Sequence, residues 1–264
     1  MSQVVGFVLA VLIGVALGML GGGGSILTVP VFVYVMDIAP KDAIAMSLPV
    51  VGTTSLVGAL GHWREGNVDW NAVAVFGPLA MLGALGGARL AAFLSGPVQL
   101  LVLGAVMLLA GLLMLRGGVP SDGLDAAPRD WRRYLVLAVA GVAVGALTGL
   151  VGVGGGFLIV PALVLFVGLP MKRAIGTSLL VIALSTMTAL TGYREASIAW
   201  RVVAIFTALT VAGALVGTRA VRVVPGYGLR RAFGVLVLLL GAFLLYENRA
   251  AGAPRGAPAA DNIR

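Results

Sequence analysis

The sequence predicts an all-α integral membrane protein made of two five-segment inverted repeats, with eight long helices and two short ones that follow glycine breaks. Of the 264 residues, 60% are hydrophobic and only 11% are charged, and the mean hydropathy is +1.07. No soluble domain of this size could cover so much apolar surface with so few charges. Several apolar runs approach the ~20 residues that a helix needs to cross ~30 Å of hydrocarbon. The two halves of the chain also match each other.

Ten apolar segments follow one another along the chain. The first lacks the basic n-region of a cleaved signal peptide, so we interpret it as a retained helix. Two segments come directly after glycine clusters and are too short for a full span, which indicates half-helices or short helices buried in protein. The long segments cover residues 4–20, 43–61, 71–94, 98–115, 134–151, 174–192, 202–218 and 232–246, and the short ones 25–36 and 157–169.

A tandem duplication sets the domain organisation. At one constant offset, Gly14, Gly18, Gly21, Gly23, Gly24 and Pro30 fall on Gly145, Gly149, Gly152, Gly154, Gly155 and Pro161, and after a one-residue slip Arg64, Glu65 and Trp70 fall on Arg194, Glu195 and Trp200. We therefore expect a first transmembrane repeat over residues 1–115, a cytoplasmic linker over 116–132, a second repeat over 133–246 and a disordered tail over 247–264.

The orientation follows from the number of crossings and from charge. If the short segments cross, each repeat has an odd number of crossings, and the second copy enters from the opposite side. The linker side then receives most of the 18 basic residues, and loop 219–231 holds four arginines where its equivalent, 89–97, holds one. This asymmetry predicts a bacterial-type inner membrane protein with a cytoplasmic linker and outside termini. If the short segments instead re-enter, eight spans remain, and the basic residues are divided too evenly between the two sides to predict an orientation.

The contiguous glycines predict a solute cavity at membrane depth. Their backbone N–H and C=O groups lack helical partners, which is tolerated only where protein or a water-filled cavity surrounds them. The helix N-terminus after each cluster carries a positive dipole end and free N–H groups, so two such ends would form an anion site. The candidate ligands are Gly21, Gly22, Gly23, Gly24 and Ser25, and Gly152, Gly154, Gly155 and Gly156.

Other glycines have the small-xxx-small spacing that lets membrane helices approach, and we assign those to helix packing. They are Gly14 and Gly18; Gly83 and Gly87; Gly141, Gly145 and Gly149; and Gly213 and Gly217.

Hydroxyl groups are the polar side chains inside the long runs, which contain no Asp, Glu or Lys. Each could simply bond its own helix backbone. Ser47 and Ser178 align across the repeat, so we predict them as ligand hydroxyls, with Thr177 beside the second. Thr53, Thr54 and Ser55 in the first half are further hydroxyl residues, and Ser185 and Thr186 answer them in the second half.

Loop residues between the spans have two interpretations. Arg64 and Arg194 are either exposed partners of Glu65 and Glu195 that mark topology, or entrance residues that attract and gate an anion. His62 is expected at the membrane interface. Trp63, Trp70, Trp131 and Trp200 stand at run ends, as aromatic belt residues do.

The sequence lacks the residues that several classes of protein require. The chain has no cysteine and one histidine, so thiolate and His-His zinc sites are excluded, and we expect no metal and no cofactor. We find no nucleophile-base pair and no phosphate-binding loop, so the chain is not expected to be an enzyme. The basic residues lie at the ends of apolar runs and form no nucleic-acid-binding face.

The paired motifs resemble the sulfite exporter TauE/SafE family. "GMLGGGGSILTVP" and "GLVGVGGGFLIVP", each followed by "AIAMSL" or "AIGTSL", carry the resemblance, which covers residues 4–246. It implies a polytopic inner-membrane carrier that exports sulfite, thiosulfate or sulfonates such as sulfoacetate. By position, the family's glycine motifs fall on residues 18–24 and 149–156, and its hydroxyl motif falls on Ser47, Thr177 and Ser178. The first copy has Met46 where the second has Thr177.

The resulting hypothesis is an anion exporter that works by alternating access. Since the cell interior is negative, each negative charge that leaves gains roughly 2.3 kcal/mol per 100 mV, so no coupling ion is required. An anion channel, a carrier for other organic anions and a non-transport membrane subunit stay open as alternatives. The expected partners are a small-molecule anion and the lipid bilayer, with no nucleic acid, and a homo-oligomer is an open possibility.

Overall fold

The computed structural model describes residues 2–22, 25–91, 93, 96–116, 131–151, 156–190 and 198–248. Over these residues the chain is all-α. The helices are α1 (Ser2–Leu20), α2 (Ser25–Pro30), α3 (Pro40–Arg64), α4 (Trp70–Ala91), α5 (Gly96–Arg116), α6 (Trp131–Val151), α7 (Gly156–Leu165), α8 (Met171–Leu190), α9 (Trp200–Val223) and α10 (Gly226–Asn248). Eight long helices and two short ones therefore occupy the predicted positions.

The long helices extend most of the predicted apolar runs by a few residues. Trp70, Trp131 and Trp200 begin helices and Trp63 lies at the end of α3; all four are more than half exposed. Within the described residues, five helices are long and apolar enough to cross a membrane, over 42–64, 70–87, 131–150, 200–223 and 226–246. The chain is thus a multi-pass membrane protein by the length and composition of its helices.

Both short helices contain a proline at the same repeat position. α2 continues past Pro30 as a wider π-helical turn over Val31–Val35. Proline has no N–H to donate to the preceding turn, which is a common cause of such a local change in helix geometry. α7 contains Pro161 and is buried along its whole length from Gly156 to Val164. A helix buried on every side lies inside the protein and does not face lipid.

Glycines bring two pairs of helices into backbone contact. α1 packs on α9, and α4 packs on α6. A Cβ atom on Gly14 would overlap the Thr210 carbonyl oxygen, and one on Gly18 would lie 2.9 Å from the Ala214 Cα. The small-xxx-small assignment is therefore confirmed, because any side chain at these positions would force the helix backbones apart.

The same contacts recur at repeat-equivalent positions. A Cβ atom on Gly145 would overlap the Ala80 carbonyl oxygen, just as one on Gly14 would overlap that of Thr210. Gly149 meets Ala84 as Gly18 meets Ala214. The remaining major pairs are α3 with α8 and α5 with α10, each helix with its own repeat equivalent. The contacts confirm the sequence register between the halves, and their inverted orientation in the membrane stays a prediction.

Candidate anion site at the glycine breaks

The two glycine breaks meet in backbone contact. α1 ends when the Gly21 amide donates to the Leu17 carbonyl at 2.9 Å, and Gly21 then takes a left-handed φ of +74°. The next residue, Gly22, approaches so closely that its Cβ atom would overlap the Gly156 carbonyl and lie 2.5 Å from the Phe157 nitrogen. Only glycine at position 22 allows the first break to reach the N-terminus of α7.

Ser178 is the predicted hydroxyl that the structure places at this contact. It is fully buried, and a Cβ atom on Gly21 would lie 2.6 Å from its Oγ atom. The Ser178 hydroxyl donates to the Ile175 carbonyl at 2.8 Å. To donate to an anion, it would therefore have to rotate away from its own helix.

Ser47 has the same local geometry in α3. It is 6% exposed and donates to the Ile44 carbonyl at 2.7 Å. By the repeat, the residue that faces Ser47 as Gly21 faces Ser178 would be Gly152, which lies outside the described residues. The other predicted site residues that lie outside them are Gly23, Gly24, Gly154, Gly155, Arg194 and the side chain of Ser25. The structure thus brings together Gly21, Gly22, Gly156 and Ser178 of the predicted set.

Thr177 makes a different contact. Its buried hydroxyl oxygen accepts a hydrogen bond from the Asp69 amide at 2.9 Å. The Asp69 carboxylate in turn accepts from the Ala72 amide at 3.0 Å, which caps the N-terminus of α4, and forms an ion pair with Arg133. Thr177 therefore ties α8 to the starts of α4 and α6.

Arg64 stands exposed at the end of α3, next to Glu65. The ion pair that Glu65 forms is with Arg222 near the end of α9, at 2.5 Å. Sequence adjacency suggested Arg64 as the partner of Glu65, but the packing of α3 on α9 supplies another arginine.

A cavity of about 250 Å³ borders the second break, and we call it the open cavity. Its lining is mostly apolar, with three hydroxyl groups from Thr148, Ser185 and Thr186. Each hydroxyl donates to its own helix four residues back, at 2.7–2.8 Å. The other lining residues are Leu48, Ala80, Met81, Ala84, Leu85, Val144, Gly145, Gly156, Ile159 and Ile182. Sequence reasoning missed Thr148, although it immediately precedes a predicted packing glycine.

His62 was expected at the membrane interface, and the structure places its side chain inside the protein. It is fully buried, and its Nε2 atom lies 3.1 Å from the Gly18 carbonyl oxygen. Since a carbonyl can only accept, Nε2 carries the proton, and the buried Nδ1 atom has no hydrogen-bond partner. Space for the ring comes from Gly176, where a Cβ atom would lie 2.8 Å from the His62 Cβ. A glycine on another helix thus decided the burial of this side chain.

The described residues contain no cluster of His, Asp and Glu that could hold a metal ion. The described part of the breaks consists of backbone, namely the contact of Gly22 with the start of α7 at Gly156 and Phe157, together with the Ser178 hydroxyl beside Gly21. Amide and hydroxyl donors around a helix N-terminus suit a small anion.

Comparison with known proteins identifies relatives that are described as membrane transporters. The chain is 33% identical over 241 residues to a protein of Xylella fastidiosa strain Temecula1 described as "Probable membrane transporter protein", covering 90% of this chain and 92% of that relative. It is 27% identical over 237 residues to "Probable membrane transporter protein YdhB" of Bacillus subtilis, covering 89% and 97%. A third relative, "Probable membrane transporter protein MJ0441" of Methanocaldococcus jannaschii, is 26% identical over 199 residues, covering 72% and 73%. No solved structure matches the chain.

The family profile described as "Sulfite exporter TauE/SafE" matches residues 6–244, which is nearly the whole chain. The match includes both glycine breaks and all ten helices. The chain is a membrane transporter and belongs to the sulfite exporter TauE/SafE family.

Proposed function

We propose that this transporter exports small sulfur-containing anions, such as sulfite, thiosulfate or sulfonates, and that the solute binds where the two glycine breaks meet. The observation that carries the proposal is the contact of Gly22 with the Gly156 carbonyl and the Phe157 nitrogen. One break comes from each half of the chain, so the site lies between two elements that can move relative to each other. That is where a carrier of the duplicated type binds its solute.

The chemistry around the contact favours an anion. α7 begins at Gly156 and presents its dipole end and its first N–H groups to the break. Ser178 adds a hydroxyl beside Gly21. Glycine at positions 21 and 22 keeps side chains away from these donors. No buried cation is required, since partial charges fixed in a region of low dielectric act strongly on a charged solute.

Contacts among the charged helix ends support ten crossings over eight. Glu65 follows α3 and pairs with Arg222 near the end of α9. With ten crossings both residues lie on the linker side, whereas with re-entrant short segments they would lie on opposite sides of the membrane. Lys172 donates to the Arg222 carbonyl at 3.4 Å and joins the same face. We therefore propose an inverted-repeat arrangement with the linker in the cytoplasm.

Membrane potential is the proposed driving force. An interior-negative potential favours anion exit by roughly 2.3 kcal/mol per charge per 100 mV. Efflux of sulfite from proteoliposomes under an imposed potassium diffusion potential tests this directly. We expect the efflux rate to follow the potential and to saturate with sulfite concentration. Efflux that follows only a pH gradient would reject the potential-driven mechanism, and single-channel currents would favour a channel.

The binding site is tested by Ser178→Ala and Ser47→Ala. Each is expected to weaken sulfite binding, measured as a smaller ligand-induced rise in thermal unfolding temperature, while the unliganded protein stays folded. Thr218→Ala is the matched control, because the Thr218 hydroxyl is also buried and donates to its own helix at 2.8 Å, yet its neighbour is Gly61 and not a break. Unchanged binding in both serine variants would remove hydroxyls from the site.

A further inference from the structure

The open cavity has a repeat-equivalent place in the other half of the duplicated structure. Its lining includes Ala80 and Gly145, which contact each other as Thr210 and Gly14 do in the other half. The repeat register thus defines a second place, which we call the closed position. Its described residues are Thr210, Val211, Ala214 and Leu215 of α9, Ile13, Gly14 and Leu17 of α1, Val51, Thr54 and Ser55 of α3, Thr28 of α2, and Leu179 of α8.

Burial differs between the two places at matched positions. Ser185, Thr148 and Ala84 are half-buried in the open cavity. Their equivalents Thr54, Leu17 and Ala214 are at most 1% exposed. The helix contacts differ in the same direction, because α3 packs extensively on α9 whereas its counterpart α8 makes a smaller contact with α4. The helices are therefore farther apart around the open cavity than they are at the closed position.

A hydrogen bond holds the closed position together. Thr54 and Thr210 have their Oγ1 atoms 2.8 Å apart and are both buried. Thr210 donates to the Thr207 carbonyl at 3.0 Å, so Thr54 is the donor to Thr210. The equivalent pair in the open cavity is Ser185 and Ala80, and alanine has no group to accept a hydrogen bond. The bond between α3 and α9 thus exists in only one half.

An unsatisfied hydroxyl lies beside this bond. Ser55 is fully buried in the closed position, and its Oγ atom has no hydrogen-bond partner among the described residues. Its repeat equivalent, Thr186, lines the open cavity. A buried hydroxyl without a partner is unfavourable, and water or a polar solute would satisfy it. The closed position therefore has more hydroxyl groups than the open cavity, and the Ser55 hydroxyl is available to bind a solute.

We propose that the closed position is a second solute cavity, for small hydrated anions, which opens when the bond between Thr54 and Thr210 breaks and the open cavity shuts. This inference rests on the proposed transport function. In a duplicated carrier the two halves exchange conformations during transport. A cavity that is open in one half therefore predicts that the equivalent position in the other half opens in the alternative state. Thr54 and Thr210 lie close to the midpoints of α3 and α9, so the second cavity lies at the middle depth of these helices.

Cysteine reporters measure the two places separately, because the chain has no cysteine of its own. We would introduce Ser185→Cys for the open cavity and Ser55→Cys for the closed position, and measure modification by a membrane-impermeant maleimide in proteoliposomes. Ser185→Cys should react at least about tenfold faster than Ser55→Cys. Adding Thr210→Val, which keeps the shape and removes the hydroxyl, should speed modification of Ser55→Cys and slow that of Ser185→Cys. Equal rates, or rates that Thr210→Val leaves unchanged, would overturn the inference.

A crosslink tests the consequence for transport. The Thr54 and Thr210 hydroxyl oxygens stand where sulfur atoms could bond, so Thr54→Cys with Thr210→Cys should close under mild oxidant. Sulfoacetate flux should then fall to background and return on adding dithiothreitol, while oxidant should not affect either single variant. Sulfoacetate replaces sulfite because sulfite cleaves disulfides.

The two hypotheses fail in different ways. Wild-type protein that binds and moves none of sulfite, thiosulfate and sulfoacetate contradicts the proposed function. If the oxidised double variant still transports at the wild-type rate, with the crosslink verified by mass spectrometry, the second cavity is contradicted. The proposed transport function is not affected by that result.

Discussion

Gly21 of the first half lies directly against Ser178 of the second, since a Cβ atom on Gly21 would come within 2.6 Å of the serine Oγ. The same glycine has a φ of +74°, a region that L-residues rarely adopt. Conformation and contact therefore both require glycine there. This one position links the end of α1, the hydroxyl of α8 and the short helix α7, whose Val160 lies on the other side.

Gly21→Ala should consequently destabilise the protein through both strain and overlap. Gly66 separates the two effects, because it has a φ of +71° but nothing within 4 Å of an added Cβ. Gly66→Ala should lower the free energy of unfolding by the backbone strain alone, about 1–2 kcal/mol, and Gly21→Ala should lower it by about 1–3 kcal/mol more. Thermal unfolding in detergent compares the variants. Equal losses of stability would show that the contact with Ser178 contributes nothing.

Neighbouring glycines in α4 test the packing of α4 on α6. Gly87→Ala would place a Cβ atom against the Ala146 carbonyl, whereas Gly86 has nothing within 4 Å. We expect Gly87→Ala to lower the unfolding temperature and Gly86→Ala to leave it unchanged or raise it slightly, because alanine favours helix by up to about 1 kcal/mol over glycine. The reverse order would mean that the two helices are not held in backbone contact.

The two ion pairs on the linker-side face should differ strongly in their contribution to stability. Asp69 and Arg133 have side chains only 10% exposed, whereas Arg222 is 64% exposed in its pair with Glu65. Asp69→Asn removes the negative charge of this largely buried ion pair and should lower the free energy of unfolding by about 3–5 kcal/mol. Glu65→Gln should cost no more than about 1 kcal/mol.

Salt separates the two pairs further. High ionic strength should reduce the small effect of Glu65→Gln and leave most of the effect of Asp69→Asn, because buried charges are screened less. Urea or thermal unfolding at low and high sodium chloride provides the measurement. A large and salt-sensitive effect at Glu65 would contradict this ranking.

His62 is expected to hold the end of α1 against α3. His62→Ala removes the donor to the Gly18 carbonyl and leaves a hole among buried side chains, so it should cost about 1–3 kcal/mol for the lost donor alone. Trp63→Ala is the control on the next residue and should cost less, because Trp63 is 51% exposed and its ring packs edge-on against Trp70. His62→Gln keeps a donor and should recover part of the loss. Stability that is indifferent to His62→Ala would show that the contact with Gly18 is incidental.

Sequence reasoning reached the packing glycines because their period is a local property. Gly14 and Gly18 lie on one side of α1 whatever that helix packs against, and the duplication then predicted the same feature in α6. The breaks were equally visible, since contiguous glycines cannot belong to an ordinary helix-packing motif. Ser178 could be chosen because it aligned with Ser47 across the repeat.

The errors and omissions came from contacts between distant segments. His62 was expected at the interface because it stands next to Trp63, but the space that buries it comes from Gly176 on α8. Glu65 was expected to pair with Arg64, yet α9 brings Arg222 closer to it. Thr177 looked like a partner of Ser178, and only the fold shows that its hydroxyl accepts from the Asp69 amide.

The sequence by itself determined the membrane class, the ten helical segments, the duplication and the family, because hydrophobicity, glycine spacing and repetition are written along the chain. Tertiary structure alone decided that Gly22 reaches Phe157, that Thr54 bonds Thr210, and that one half encloses a cavity while its equivalent is shut. The two halves share the same order of glycine and hydroxyl motifs. Which half opens depends on how the helices pack across the repeat, and that is a property of contacts between residues far apart in sequence.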